Sequence, residues 1–185
     1  VIAAALAAAE MIQADGATFL SGVVAGYEAA FRVALACRPS PERYAEVHGS
    51  QCFLPFGAAA AAARILRLDA EAMSRALGLA GAMAPVPAAG KFGFDEPQLS
   101  WLKDNVHQPA EIGLRAALLA REGMPASRTL LTGDKGWWRM IASDRFDEAG
   151  LLGTELRGVA ELAFKPWPCC RWLHAAMDAA CLAYD

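Results

Sequence analysis

Apolar residues recur with helical spacing over the first half of the chain. From residue 18 onward, large apolar side chains return every three or four positions, which places them on one face of a helix. The set consists of Phe19, Val23, Val24, Tyr27, Phe31 and Leu35. Small residues lie between them, Gly22 and Gly26 among others, and they would let a second helix approach closely. The pattern predicts tightly packed helices.

Capping and turn residues divide this half of the chain into further helices. A pair of prolines ends the first long helix, and a loop is predicted over 48–50. The alanine-rich stretch 54–68 predicts a second helix. Asp69 is placed at the N-cap of an antiparallel partner that runs to about residue 83. After a long irregular loop over 85–100, Pro109 suits the first turn of another helix, which stops near Gly123.

The last part of the chain changes from helical to alternating spacing. Residues 159–164 alternate between two faces, which is typical of a short strand, and Pro166 and Pro168 would end that strand. A helix is predicted from Pro168 onward. The fold class is therefore mainly α, and the change of character near Leu156 is the one candidate boundary.

Charge and composition narrow the classes of partner. The 185 residues carry 17 basic and 20 acidic side chains, a net charge of −3, without a basic stripe, so nucleic acid is not expected as a partner. The opening apolar run is broken by Glu10 and Asp15 and is too short to span a membrane. It is typical of a helix cut partway, so we expect the chain to begin inside a longer protein. Five cysteines without a CxxC pair favour the reducing cytoplasm.

The densest group of chemically capable residues is KPWPCCRWLH, from Lys165 to His174. Cys169, Cys170 and Arg171 fall in the first turn of the predicted helix, whose free N–H groups favour a carboxylate. Cys170, His174 and Asp178 recur four residues apart on one helical face. The alternative is structural, with Arg171 solvated, Cys170 and His174 packed in a core and Asp178 in an ion pair. Zinc is a weaker interpretation, because adjacent cysteines are poorly placed to bind one ion and no second ligand pair exists.

Two other segments place a cation or a histidine before a predicted helix. Lys103 precedes the helix that starts near Pro109, and its structural alternative is a surface pair with Asp104 worth at most about 1 kcal/mol. His48 lies before the alanine-rich helix, where a histidine next to glycine is more often a loop residue than a catalyst. The sequence contains no GxGxxG between strand and helix, no GxxxxGK[ST], no HExxH and no GxSxG, so nucleotide cofactors and serine hydrolysis lack support.

Four ordered segments resemble the MmgE/PrpD family, which includes 2-methylcitrate dehydratase, cis-aconitate decarboxylase and iminodisuccinate epimerase. They are GYEAAFRVALA at 26–36, VHGSQCFLPFGAAAAAARILRLD at 47–69, LKDNVHQPAEIGLRAALLAREG at 102–123 and FKPWPCCRWLHAAMDA at 164–179. They look like the family's GYE helix, its His-to-Gly-Ala-Ala segment, its Lys-to-Gly-x-x-Ala-Ala helix and its K-P-[YF]-P-x-C-[RQ]-x-x-H box. The resemblance covers nearly the whole chain.

The resemblance implies an all-helical domain, here over 1–156, and the beginning of a smaller α+β lid domain over 157–185, with the site in the cleft between them. His48, Lys103 and Lys165 match the family's catalytic pattern. The candidate substrate-binding residues are Cys170, Arg171 and His174. Cys170 stands where the decarboxylase branch has a histidine, which weighs against decarboxylation. Neither a metal nor an organic cofactor is implied.

The implied function is a cofactor-independent lyase that removes a proton beside a carboxylate of a small di- or tricarboxylate. A dehydratase is the first choice of reaction, because most of the family is named for that activity. A racemase or epimerase, which begins with the same proton abstraction, remains an alternative. A non-catalytic helical interaction module is the alternative of a different class, and a true start at Val1 would favour it. The family is typically dimeric, so a homodimer is expected.

Overall fold

The computed structural model describes residues 1–47, 49–85, 107–153 and 155–184. These residues are mostly helical, as predicted, and contain no strand. The α-helices are α1 (Ile2–Met11), α2 (Gly16–Ala36), α3 (Pro41–Glu46), α4 (Gly49–Ile65), α5 (Ala70–Ala82), α6 (His107–Arg121), α7 (Glu148–Leu152) and α8 (His174–Tyr184). A π-helical turn spans Trp138–Ala142, and a 3-10 turn at Arg171–Leu173 leads into α8.

Helices α2 and α4 cross at glycines, which confirms the close approach predicted from the small residues of α2. A Cβ atom placed on Gly26 would lie 2.6 Å from the carbonyl oxygen of Gly57 and 2.8 Å from Cβ of Ala61. A Cβ atom on Gly57 would lie 2.6 Å from the carbonyl oxygen of Gly26. Carbon atoms do not approach backbone this closely, so the absence of a side chain on both helices is what permits the crossing.

Helix α4 forms the centre of the main core. Its alanines at 58–63 are all buried and pack among residues of α1, α5 and α6. The helix begins at Gly49 rather than near residue 54, because Pro55 is buried inside the helix instead of starting it. It ends at Ile65 rather than at residue 68, because Arg67 adopts a left-handed φ of 58° and closes the helix.

Helices α4 and α6 run in the same direction. The short turn at 66–69 makes α5 antiparallel to α4, so the first half of α5 lies beside the end of α4. Arg75 in that half of α5 donates a hydrogen bond to the carbonyl oxygen of Ala120, near the end of α6, at 3.2 Å. Gly113, earlier in α6, faces Ala58 in the middle of α4. Both helices therefore begin at the same end of the bundle.

Two predicted helix starts are confirmed by the structure. Asp69 caps α5, and its carboxylate accepts a hydrogen bond from the N–H of Ala72 at 2.8 Å. Pro109 lies in the first turn of α6, where its missing N–H leaves no helical hydrogen bond unmade. The predicted end of that helix is also confirmed, because α6 ends at Arg121 and Gly123 follows with a φ of 84°.

The strand predicted over 159–164 is wrong. This part of the chain forms turns, with hydrogen bonds from the N–H of Glu161 to the carbonyl of Arg157 at 2.9 Å and from the N–H of Leu162 to that of Val159 at 3.3 Å. These local bonds use the backbone groups that a ladder would need, and the described residues offer no neighbouring strand. The boundary near residue 156 stays a prediction.

Helix α2 has the length and apolar composition of a membrane span. The core helix of a globular protein passes the same test, and α2 packs its glycine face on α4. The helix also carries an ion pair between Glu28 and Arg32, at 2.6 Å, on another part of its surface. We therefore interpret α2 as a core helix.

Candidate active site

The six predicted site residues fall into two groups. His48 and Lys103 lie outside the described residues, so the structure neither joins them to the others nor separates them. Lys165, Cys170, Arg171 and His174 are described and lie in one continuous segment before and at the start of α8.

The backbone that leads to His48 is held against the π-helical turn. The carboxylate of Asp144 accepts a hydrogen bond from the N–H of Ser40 at 2.8 Å, and this bond holds the pKa of Asp144 below its ordinary value. The guanidinium of Arg43 donates to the carbonyl oxygen of Ile141 at 3.4 Å. Val47 is buried at the end of this segment, and α4 begins at Gly49.

A second core cluster lies at the end of the bundle where α4 begins. It consists of Val33, Cys37, Cys52, Phe56 and Trp137. The Trp137 ring packs edge-on against Phe56 with the ring centres 4.9 Å apart, and its indole N–H is buried without a partner among the described residues. Burial raises the pKa of Cys37 and of Cys52 to about 12, so both stay uncharged thiols and serve packing rather than nucleophilic chemistry.

Residues 165–169 form a tight turn that is closed by local hydrogen bonds, and we call it the Lys165 turn. The ammonium of Lys165 donates to the carbonyl oxygen of Cys169 at 3.3 Å, and the N–H of Cys169 donates to the carbonyl of Trp167 at 2.8 Å. The indole N–H of Trp167 donates to the carboxylate of Asp178 in α8 at 2.8 Å. The turn is therefore tied to the helix that follows it, and two of the three N–H donors of Lys165 remain for a ligand.

The helix after this turn begins later than predicted. Cys170 is the N-cap of the 3-10 turn, where its carbonyl accepts from the N–H of Leu173 at 2.9 Å, and the α-helix starts only at His174. The expectation that Cys169, Cys170 and Arg171 form the first turn of an α-helix is therefore wrong. Two prolines before Cys169 stiffen the chain in a non-helical path, which delays the start.

Arg171 and His174 keep hydrogen-bonding capacity for a ligand. The side chain of Arg171 is exposed and has no ion-pair partner in the described part of the chain. His174 is half-buried, and its Nε2 atom is buried with no partner among the described residues. A guanidinium, an ammonium and an unpaired imidazole nitrogen within ten residues of chain suit a ligand with carboxylate groups.

Sequence reasoning missed the contact that joins α2 to the segment before Lys165. The carboxylate of Glu28, which is only 8% exposed, accepts a hydrogen bond from the N–H of Gly158 at 2.6 Å and one from Nε of Arg32, also at 2.6 Å. The only local signal was a Glu–Arg pair four residues apart in an apolar helix. That spacing identifies the pair but not its backbone partner, which lies 130 residues further along the chain.

A cavity of about 330 Å³ lies between α2 and α7, next to this contact. Its cations are Arg32, which is bonded to Glu28, and Arg157, which pairs with Glu161 at 2.5 Å. Because both are already engaged, the cavity offers less to an anion than the Lys165 turn does. Among the described residues, no three His, Cys, Asp or Glu side chains lie close enough together to hold a metal ion.

The comparison with known protein families identifies one family, whose match ends before Lys165. No curated protein matches the chain. The model of the MmgE/PrpD N-terminal domain matches residues 1–149, which include α1 to α6 and the π-helical turn. This match covers more than half of the 185 residues. On this evidence, the chain belongs to the MmgE/PrpD family.

Proposed function

We propose that this protein is a cofactor-independent enzyme that acts on a small di- or tricarboxylate by removing a proton beside a carboxylate. The observation that carries the proposal is the continuous segment 165–174, which offers the Lys165 ammonium, the Arg171 guanidinium and the unpaired Nε2 of His174 in a member of the MmgE/PrpD family. Cys170 lies in the same segment, at the N-cap of the 3-10 turn, and is the fourth candidate for contact with substrate.

The chemistry follows from what a carboxylate needs in such a reaction. Removal of the neighbouring proton places negative charge on the substrate, so cations must balance both the carboxylates and the developing enolate. Arg171 suits a carboxylate because its planar fork can donate two parallel hydrogen bonds. Lys165 and Lys103 are the candidate bases, and His48 is the partner that gives or takes the second proton.

A dehydratase is our first choice of reaction. After proton removal the substrate loses a hydroxyl group from the adjacent carbon, which leaves as water when an acid such as His48 protonates it. An epimerase would instead return a proton to the opposite face of the same carbon. The two reactions share their first step, so the same residues serve both.

Proton exchange in deuterated water tests the proposal. A panel of di- and tricarboxylates is incubated with the protein and followed by proton NMR. Loss of water identifies a lyase, and deuterium uptake without net conversion identifies an epimerase. Turnover should fall at least about 100-fold in His48→Ala and Lys165→Ala, since each removes a general acid or base, and Lys135→Ala is the matched surface control.

Turnover that stays within a few-fold of the parent in His48→Ala and Lys165→Ala would overturn the residue assignment. No exchange and no conversion with any member of the panel would favour the non-catalytic helical module. We further propose a homodimer, because large apolar side chains such as Trp172 and Phe164 are 85% and 92% exposed. We place it in the cytoplasm because five cysteines without a CxxC pair favour a reducing compartment. Sedimentation equilibrium would contradict the dimer if the mass stayed monomeric at micromolar concentration.

A further inference from the structure

Two residues of α2 bind the backbone of the chain just before the Lys165 turn. We call the pair Glu28 and Arg32, together with the backbone groups that they bind at Leu151, Gly153, Glu155 and Gly158, the α2 clamp. The guanidinium of Arg32 donates hydrogen bonds to the carbonyl oxygens of Leu151, Gly153 and Glu155. One side chain therefore binds three backbone carbonyls of this segment.

Glu28 supplies the other half of the clamp. One carboxylate oxygen accepts from Nε of Arg32 and the other from the N–H of Gly158, each at 2.6 Å. A buried carboxylate is stable only when it is paired and hydrogen-bonded, and these two donors meet that need. Displacing the segment would remove the Gly158 donor from the Glu28 carboxylate.

Gly158 is fitted to the clamp by its lack of a side chain. A Cβ atom at this position would lie 2.8 Å from Cα of Glu28, 2.9 Å from a carboxylate oxygen of Glu28 and 2.9 Å from the carbonyl oxygen of Tyr27. The backbone at 158 thus rests directly on α2. By contrast, a Cβ atom on Gly153 would meet no atom within 4 Å.

The clamp continues into the turn that carries Lys165. Arg157 and Glu161 form an ion pair at 2.5 Å, and the N–H of Glu161 donates to the carbonyl of Arg157 at 2.9 Å, so the chain folds back directly after the clamp. Lys165 lies seven positions after Gly158, and even a fully extended chain spans at most about 25 Å over that separation. The anchor on α2 therefore limits where the Lys165 turn can lie relative to the bundle.

We propose that Glu28 and Arg32 are positioning residues for Lys165: the α2 clamp sets the place of the Lys165 turn relative to the helical bundle. The proposal rests on the proposed function, because Lys165 is the group that is positioned. Glu28 and Arg32 make no contact with the reacting atoms in this proposal. They act through the backbone groups that they bind between Leu151 and Gly158.

Three variants of the full chain test this role. Glu28→Gln keeps the shape of the side chain but cannot accept hydrogen bonds on both ends. Gly158→Ala leaves α2 unchanged and adds a methyl group where no space exists, while Gly153→Ala is the matched control. The readouts are amide hydrogen exchange by mass spectrometry in peptides covering 151–170, and kcat and KM for the carboxylate that the parent turns over.

We expect faster exchange over 158–165 in Glu28→Gln and in Gly158→Ala, with exchange in α4 unchanged. We also expect kcat to fall about tenfold or more while KM stays within about twofold, because a small displacement of a catalytic group lowers the rate strongly. Gly153→Ala should behave like the parent in every measurement.

If the parent is active, two outcomes would overturn the proposal. Unchanged exchange over 158–165 in both variants would show that the clamp does not hold the segment, and faster exchange with unchanged kcat would reduce the clamp to a structural contact. If the parent turns over no carboxylate, the proposed function fails by itself. The amide hydrogen exchange rates of the variants then decide alone. Faster exchange confined to 151–170 supports the clamp, whereas faster exchange that also includes α4 overturns it.

Discussion

Individual thiols of this chain differ in reactivity because their surroundings differ. Cys37 and Cys52 are fully buried, and burial raises the pKa of each from 9.0 to about 12. Cys169 and Cys170 are half-buried, and Cys181 is exposed. Since the thiolate is the reactive form, the two buried side chains should resist modification in the folded protein.

We therefore predict that a disulfide reagent such as DTNB labels three cysteines quickly at pH 8 and the remaining two only after unfolding. Mass spectrometry of the labelled peptides would assign the fast group to Cys169, Cys170 and Cys181. Because the raised pKa values favour the folded state below about pH 9, their contribution to stability should fall as the pH rises toward 12. Rapid labelling of Cys37 or Cys52 at pH 8 would contradict the burial of this core.

Pairs of helices depend on glycine where the backbones cross. At Gly26 an added methyl group would lie 2.6 Å from the carbonyl oxygen of Gly57. Alanine is the better helix former by up to about 1 kcal/mol, so intrinsic propensity alone would make Gly26→Ala stabilising. Overpacking of a tight interface typically costs about 1–3 kcal/mol and acts in the opposite direction.

We predict that overpacking wins and that Gly26→Ala lowers the free energy of unfolding by about 1–3 kcal/mol. Urea unfolding followed by circular dichroism measures the change. Gly16→Ala is the matched control, because a Cβ atom on Gly16 meets nothing within 4 Å, and it should leave stability unchanged or slightly raised. Equal stability of the two variants would mean that α2 and α4 do not approach as closely as described.

The elements that could be predicted from the sequence are those specified locally. Asp69 caps the helix that follows it through an N–H three residues away, and Gly26 marks a helix crossing through the spacing of its neighbours. The prediction of a strand over 159–164 was wrong because alternating side chains show only that a segment has two different faces. A strand also needs a neighbouring strand to form hydrogen bonds with its backbone. The Glu28 contact with Gly158 was missed because every residue except proline has a backbone N–H, so the sequence does not show which one a carboxylate binds.

At the scale of the whole molecule, the charge on Glu28 connects the helical bundle to the segment that carries Lys165. Burial by itself would raise the pKa of Glu28, but the hydrogen bonds from the Gly158 N–H and from Arg32, together with the Arg32 charge, outweigh burial and hold the pKa below its ordinary value of 4.5. Because the pKa is lowered by folding, the contact contributes its full stability above pH 4.5. That contribution is lost as the pH falls through the folded-state pKa.

Acid should therefore release the α2 clamp at a pH below the ordinary range of a glutamate. In proton–nitrogen correlation spectra, the amide signal of Gly158 should shift with a midpoint below pH 4.5, since its acceptor loses charge on protonation. Glu28→Gln should abolish this titration. Glu161→Gln, which removes a carboxylate that is 43% exposed and bonded to Arg157, should preserve it. A midpoint at or above pH 4.5, or a titration that survives in Glu28→Gln, would show that Glu28 is not the acceptor that holds this end of the chain on α2.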